Sequence, residues 1–251
     1  MTSSIDSASR LTWPAPWGVM DRDKRDSFLK ARELTLNLVQ WLARIANSYV
    51  AGNSIEDRLA LDFRGDGSMV TKTFDREIAL ELRLPSLELQ FQERGKRVPH
   101  ILDPEEHSPA EVEAWLLVEL LHRGVDRDRF SKSLPYKIPN LMSGDAEDYA
   151  PHACAEGLAI LTAWFCSASS VISHLGQVVC MPQTLMLTAS VNGKHTVGFS
   201  PGDAKHDEPY FFAALSGQKK RKLTASELSN EKHPADAAIQ FIKAASETMR
   251  A

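Results

Sequence analysis

The sequence predicts an α+β protein in which a largely antiparallel sheet packs against two long helices, one from about residue 23 and one from about residue 154. Three observations carry this: apolar residues recurring every three or four positions from Phe28 to Tyr49, a stretch from Cys154 to Leu175 that is apolar nearly all round, and alternation from Glu77 to Leu84 that resumes from Leu87 to Phe91. Periods of 3.6 and 2.0 belong to helix and strand respectively, so the two patterns mark different elements.

In chain order, the Ser-rich residues 1–12 predict a flexible N-terminal segment ahead of a single domain over 13–251, with Trp13 and Trp17 available to pin the entry strand. Phe28, Ala31, Leu34, Leu38, Trp41, Leu42, Ile45 and Tyr49 form one helical face, and Gly52 follows as a C-terminal cap. Leu59, Leu61 and Phe63 read as a strand, Arg64-Gly-Asp-Gly67 as a turn, and Met69 to Phe74 as the return strand. Ile78, Leu80, Leu82 and Leu84 alternate with charged or small residues, and Leu87, Leu89 and Phe91 resume the pattern after Pro85-Ser86, which predicts a sheet with one side in water.

Ser108-Pro-Ala-Glu111 has the form of a capping box with proline at the first helical position, and the helix it opens runs to Gly124. Residues 126–151 are mixed and proline-punctuated, with Tyr136-Lys-Ile138 suited to a short edge strand. The apolar helix from Cys154 ends at Gly176; its all-round apolar character predicts burial, and its Ser residues argue against a membrane span. Strands over Thr184–Val191 and Lys194–Phe199 flank Asn192-Gly193, a two-residue hairpin signal that sets Ser190 opposite His195. Tyr210 to Leu215 reads as a further strand, and a last helix starts near Pro234. The order also accommodates two α-β-α halves, 23–124 and 152–250, sharing one sheet.

Composition bounds function more by exclusion. The 251 residues are 43% hydrophobic and 25% charged, with a formal net charge of -4. Such a balance offers no electrostatic reason to expect nucleic acid or an anionic membrane as partner. The N-terminus lacks the basic and apolar segments of a signal peptide, which predicts a cytoplasmic protein. Cys154, Cys166 and Cys180 include no Cys-x-x-Cys pair, so packing roles are expected. The chain has no Gly-x-Gly-x-x-Gly, phosphate-binding Gly-x4-Gly-Lys, His-Glu-x-x-His or Gly-x-Ser-x-Gly motif.

The densest collection of reactive side chains lies between Ser190 and Phe212, where His195, Asp203, His206, Asp207 and Glu208 surround a Gly-Phe-Ser-Pro-Gly-Asp loop. Imidazoles and carboxylates are the ligands zinc, manganese and iron sites use, although the spacing from His195 to His206 matches no compact metal motif. A polar turn capping the sheet is the simpler reading. His152 and Cys154, at the start of the apolar helix, could form a base and thiolate pair, and Lys219-Lys-Arg-Lys222 is a basic run suited to a solvated loop.

Leu134-Pro-Tyr-Lys-Ile-Pro-Asn140, Tyr149-Ala-Pro151, the strand into His195, Gly198-Phe-Ser-Pro-Gly202 and Pro209-Tyr-Phe-Phe212 together resemble an uncharacterised bacterial family. Its members carry an Ile-Pro-Asp/Asn segment, a Ser-His-Glu strand, a Gly-Phe-Trp-Pro-Gly loop and an aromatic last strand. The chain departs from that pattern with Lys194-His-Thr196 and with Ser200 in place of Trp. The resemblance implies a shared fold and picks out His195, Gly198, Phe199, Pro201 and Gly202; it implies no activity.

Two functional readings follow. The preferred one is a non-catalytic small-ligand-binding or interaction domain, with an apolar cleft lined by Trp41, Trp164, Phe199 and Tyr210 and a small molecule as partner. The alternative is a metal-dependent or acid-base hydrolase or lyase in which His195 is catalytic and His195, Asp203, His206 and Glu208 hold a divalent metal.

Overall fold

The structure, a computed structural model, describes residues 14, 20–191, 195–214 and 221–248. Residues 1–12, Trp13, Trp17 and the Asn192-Gly193 turn lie outside them. The fold is α+β: a ten-stranded antiparallel sheet carries two long helices, α1 (Arg22–Tyr49) and α4 (Ala155–Ser173).

Its strands are β1 (Leu61–Phe63), β2 (Ser68–Val70), β3 (Ile78–Arg83), β4 (Glu88–Glu93), β5 (Lys96–Leu102), β6 (Val179–Met181), β7 (Met186–Val191), β8 (His195–Ser200), β9 (Tyr210–Ala214) and β10 (Arg221–Thr224). The spatial order β10-β9-β8-β7-β6-β1-β2-β3-β4-β5 is two antiparallel meanders joined back to back where β1 pairs with β6. Each meander is preceded by one long helix, α1 or α4, and followed by another, α3 (Pro109–His122) or α6 (Pro234–Thr248). Two short α-helices, α2 (Ile55–Leu59) and α5 (Ala225–Leu228), and two 3₁₀ turns, Arg127–Arg129 and Pro151–Cys154, complete the set among the described residues.

Strand alternation decides which side chains meet α1 and α4. Leu61, Met69, Leu82, Leu89, Cys180, Leu187, Phe199 and Phe211 stand on one face through the pairings Leu82↔Leu89, Leu61↔Cys180, Leu187↔Phe199 and Phe199↔Phe211, and all are buried. One continuous hydrophobic cluster takes residues from both meanders. Above the sheet, α1 and α4 cross at Gly157, where an added Cβ would sit 2.1 Å from the Ser27 carbonyl oxygen. Only glycine lets the two backbones approach that closely. The segment from Pro151 to Ser173 is long and apolar enough to cross a membrane, yet it packs on α1, β7 and β8 as a core helix.

The Ser108 capping box forms as its sequence predicts: Ser108 Oγ accepts from the Glu111 amide, and the Glu111 carboxylate accepts from the Ser108 amide. Elsewhere the structure corrects the sequence reading. Helix α1 is capped by Val50 rather than Gly52, and the stretch read as strand near Arg58 begins as helix α2. Strand β5 was unforeseen; Arg94 and Gly95 both take positive φ, the geometry of a two-residue hairpin turn, and lead β4 into it. Tyr136-Lys-Ile138 is no strand, because its surroundings are tied to side chains of α1 instead of a sheet edge: Tyr136 donates to Gln40 Oε1, Arg44 to the Lys132 carbonyl, and the Met142 amide to Asn37 Oδ1. In the basic run, Arg221 and Lys222 belong to edge strand β10 rather than to a loop.

The polar face of β3 and β4 is not open to water either. Glu81, Gln90, Gln92 and Ser68 are buried beneath the long side chains of Arg97 and Arg83. The Glu81 carboxylate accepts from Arg97 Nε at 2.9 Å and Nη2 at 2.6 Å, from Ser68 Oγ at 2.7 Å and from Gln92. Burial raises its pKa, but these hydrogen bonds and the Arg97 charge outweigh burial and hold it at about 2.

Candidate functional site

The loop that dominates the sequence does not gather its reactive side chains. His195 opens β8, on the face shared with Val197 and Phe199, whereas Asp203 and His206 lie beyond the far end of the same strand. At about 3.3 Å per residue, an extended strand holds the two ends roughly 17 Å apart. The register also differs from a two-residue hairpin: Val191, not Ser190, is opposite His195.

Beyond β8, both carboxylates serve local structure. Asp203 Oδ1 accepts from the amides of Lys205 and His206, and Oδ2 accepts from the Tyr210 hydroxyl at 2.7 Å. Burial raises the Asp203 pKa, but the Tyr210 and backbone hydrogen bonds prevail and lower it. Glu208 accepts from the Ser226 amide at 2.7 Å, and the exposed His206 stands edge-on to the Tyr210 ring. His195, Asp203, His206 and Glu208 therefore do not converge on a common point, and the one triad of ligand-type groups within 4.8 Å among the described residues is His100, Glu119 and His122.

Nor do Trp41, Trp164, Phe199 and Tyr210 line a cleft. All four are core residues, at most 2% exposed. Trp41 Nε1 donates to Tyr149, and Trp164 stacks on Phe199 at 6.0 Å between ring centroids. Tyr210 pairs with Ser200 and Phe199 with Phe211, so alternation puts the rings of Phe199 and Tyr210 on opposite faces of the sheet. His152 turns to Glu105, with its Nδ1 3.5 Å from the carboxylate, while Cys154 is buried and its Sγ donates to the Pro151 carbonyl. Burial raises the Cys154 pKa, the opposite of a poised thiolate.

Two of the open clefts lie along the outer side of α1. One, of about 480 Å³, is bounded by Leu29, Arg32, Leu36, Asn140, Met186 and Asp203. A second, of about 340 Å³, is bounded by Leu34, Asn37, Met142, Glu147 and Cys154. Lys30, Glu33 and Asn140 line both, so the two form one groove with α1 as floor. Asn140 Nδ2 donates to Glu33 Oε1 at 3.2 Å across the join.

Compared with known proteins, the chain matches no family model, no curated sequence and no solved structure.

The groove's walls are built from segments the sequence leaves irregular. Arg32 reaches from α1 to the loop after β8 and donates from Nη1 to the carbonyls of Pro201 and Asp207, at 3.4 and 3.3 Å. Burial lowers the Arg32 pKa against the opposing charges of Asp207, Asp203 and Glu33. Gly202 has φ +102°, and a Cβ there would lie 2.3 Å from Arg32 Nη1, so the Pro-Gly pair of the loop serves this close approach. On the other wall, Asn37 and Gln40 hold the chain at Met142 and Tyr136. Sequence reasoning missed Lys30, Arg32 and Glu33, and named Asn140 only as the end of the Leu134–Asn140 segment. The available signal was the polar side of the first helix, which carries both charge signs beside Leu29 and Leu36.

Proposed function

We propose that this protein is a soluble, cytoplasmic, non-catalytic binding domain whose groove along α1 takes a small amphipathic ligand with an apolar body and polar ends. The observation that carries the reading is the shared lining of Lys30, Glu33 and Asn140, which joins two clefts into one site of the size that small-molecule pockets have. Leu29, Leu36 and Met186 offer apolar contact, while Lys30 and Glu33 offer opposite charges to the ends of a ligand. The family resemblance in the Gly198–Gly202 loop fits a role in shaping this wall, where Gly202 admits Arg32. The hydrolase or lyase reading receives no comparable support, since the carboxylates it needs are bonded to backbone amides and to Tyr210.

A fragment collection screened by amide-detected NMR tests the proposal. Bound fragments are expected to shift amides in 29–37, 140–142 and 184–186, and Leu36→Arg is expected to abolish those shifts while the folded spectrum persists. Fragments that bind only elsewhere, or that bind Leu36→Arg equally well, would sink it.

A further inference from the structure

A second site lies at the opposite edge of the sheet, where β5 meets α3. Arg97 pairs with Gln92 and Ile101 with Gln90, so three residues of β5 stand opposite the single Phe91 of β4. Such a bulge re-aims the side chains it carries and recurs beside functional sites. Here His100 meets α3, on which Glu119 and His122 stand three residues apart and therefore share a face. His100 Nδ1 is 3.2 Å and His122 Nδ1 3.7 Å from the same oxygen, Glu119 Oε1.

From these positions the geometry points to a binding site for a divalent first-row transition metal ion, with His100, Glu119 and His122 as its protein ligands. Nitrogen and oxygen ligands about 2.0–2.2 Å from a tetrahedral zinc ion lie roughly 3.4 Å from one another. The two distances to Oε1 bracket that separation, and all three ligand atoms fall within 4.8 Å of one another. Two imidazoles and one carboxylate make a donor set zinc and iron accept, and three ligands leave positions for solvent or a co-ligand.

The carboxylate is also held in place. Glu119 is 4% exposed, and its other oxygen, Oε2, accepts from Arg123 Nη1 at 2.7 Å. Arg123 in turn lies over the Phe91 ring, 4.6 Å from its centroid, with Glu93 Oε1 3.1 Å from Nε to offset its charge. An outer partner of this kind fixes a metal-binding carboxylate and leaves the inner oxygen to the ion. The imidazoles remain accessible, at 66% exposure for His100 and 57% for His122.

Beside the triad, a cleft of about 640 Å³ shares His122 and Arg123 and adds Arg76, Arg94 and Lys96, with Glu93 as its one acidic residue. This cationic lining selects an anionic co-ligand, a carboxylate or phosphate, for the open positions of the metal.

Calorimetric titration of the full chain with Zn²⁺ tests the assignment, first alone and then with inorganic phosphate. One equivalent is expected to bind. His100→Ala and His122→Ala, both at exposed positions that leave the core intact, are each expected to weaken binding by about 100-fold. Their combination is expected to remove the site, whereas His152→Ala and His174→Ala leave it unchanged. Circular dichroism of the double variant checks that the fold is retained. Absence of binding by the parent chain, or equal affinity in the double variant, overturns the site. Because this edge is separate from the groove on α1, its failure leaves the ligand-binding proposal standing, and the reverse holds.

Discussion

Burial alone would raise the pKa of the Glu81 carboxyl, and Arg97, Ser68 and Gln92 reverse that. Its folded pKa, about 2, lies below the ordinary value near 4.3, so the linked stability is complete above the ordinary value and is lost as pH falls through about 2. With allowance for screening through the partly exposed Arg97, the contribution is on the order of 2 kcal/mol at neutral pH. Urea unfolding at pH 7, 4 and 2.5 should show a steeper acid loss in the parent chain than in Glu81→Gln, and parallel profiles would refute this account. Gly198 makes a second prediction at the same scale. A Cβ there would meet the Leu187 carbonyl oxygen at 2.3 Å and the Phe212 ring at 2.6 Å. The carbonyl belongs to the β7–β8 ladder and cannot retreat, so Gly198→Ala should cost about 3 kcal/mol in denaturant titration. The Glu81 cluster was not legible beforehand, since its charged alternation looks the same whether the face meets water or a layer of arginine side chains.

Elements that form from local rules were readable; those defined by a partner were not. The capping box at Ser108 needs only residues three apart, and Ser108→Ala should destabilise the protein by about 1 kcal/mol. The contact of α1 with α4 is of the other kind. Gly157 offers no local signal for its role, yet Gly157→Ala places a methyl against the Ser27 carbonyl and should lower stability by about 2–3 kcal/mol, read from the unfolding midpoint. Strand β5 escaped notice because Lys96, Arg97, Pro99 and His100 depart from strand composition, and its pairing with β4 is what makes it a strand. Conversely, Tyr136 to Ile138 has strand-like residues but forms no strand, since Gln40 and Asn37 of α1 hold the segment around it.

Across the whole molecule, two meanders of five strands meet at the β1–β6 pair, and the helices that precede them, α1 and α4, pack against each other. Fragments 20–124 and 150–248 should each be largely unfolded alone by circular dichroism, because separation strips the ladder from β1 and β6 and uncovers the apolar sides of α1 and α4. A fragment with a cooperative melt of its own would contradict this. By itself the sequence determined the fold class, the two long helices, the α3 cap and the order of most strands, because periodicity and capping act over a few residues. It could also nominate ligand-type side chains, but proximity along the chain proved a poor guide to proximity in space. An extended strand carries His195 away from Asp203 and His206, while a bulge and a helix bring His100 to Glu119 and His122 from about 20 residues away. Only the tertiary structure decided those distances, since side-chain convergence depends on sheet register and on which helix covers which edge.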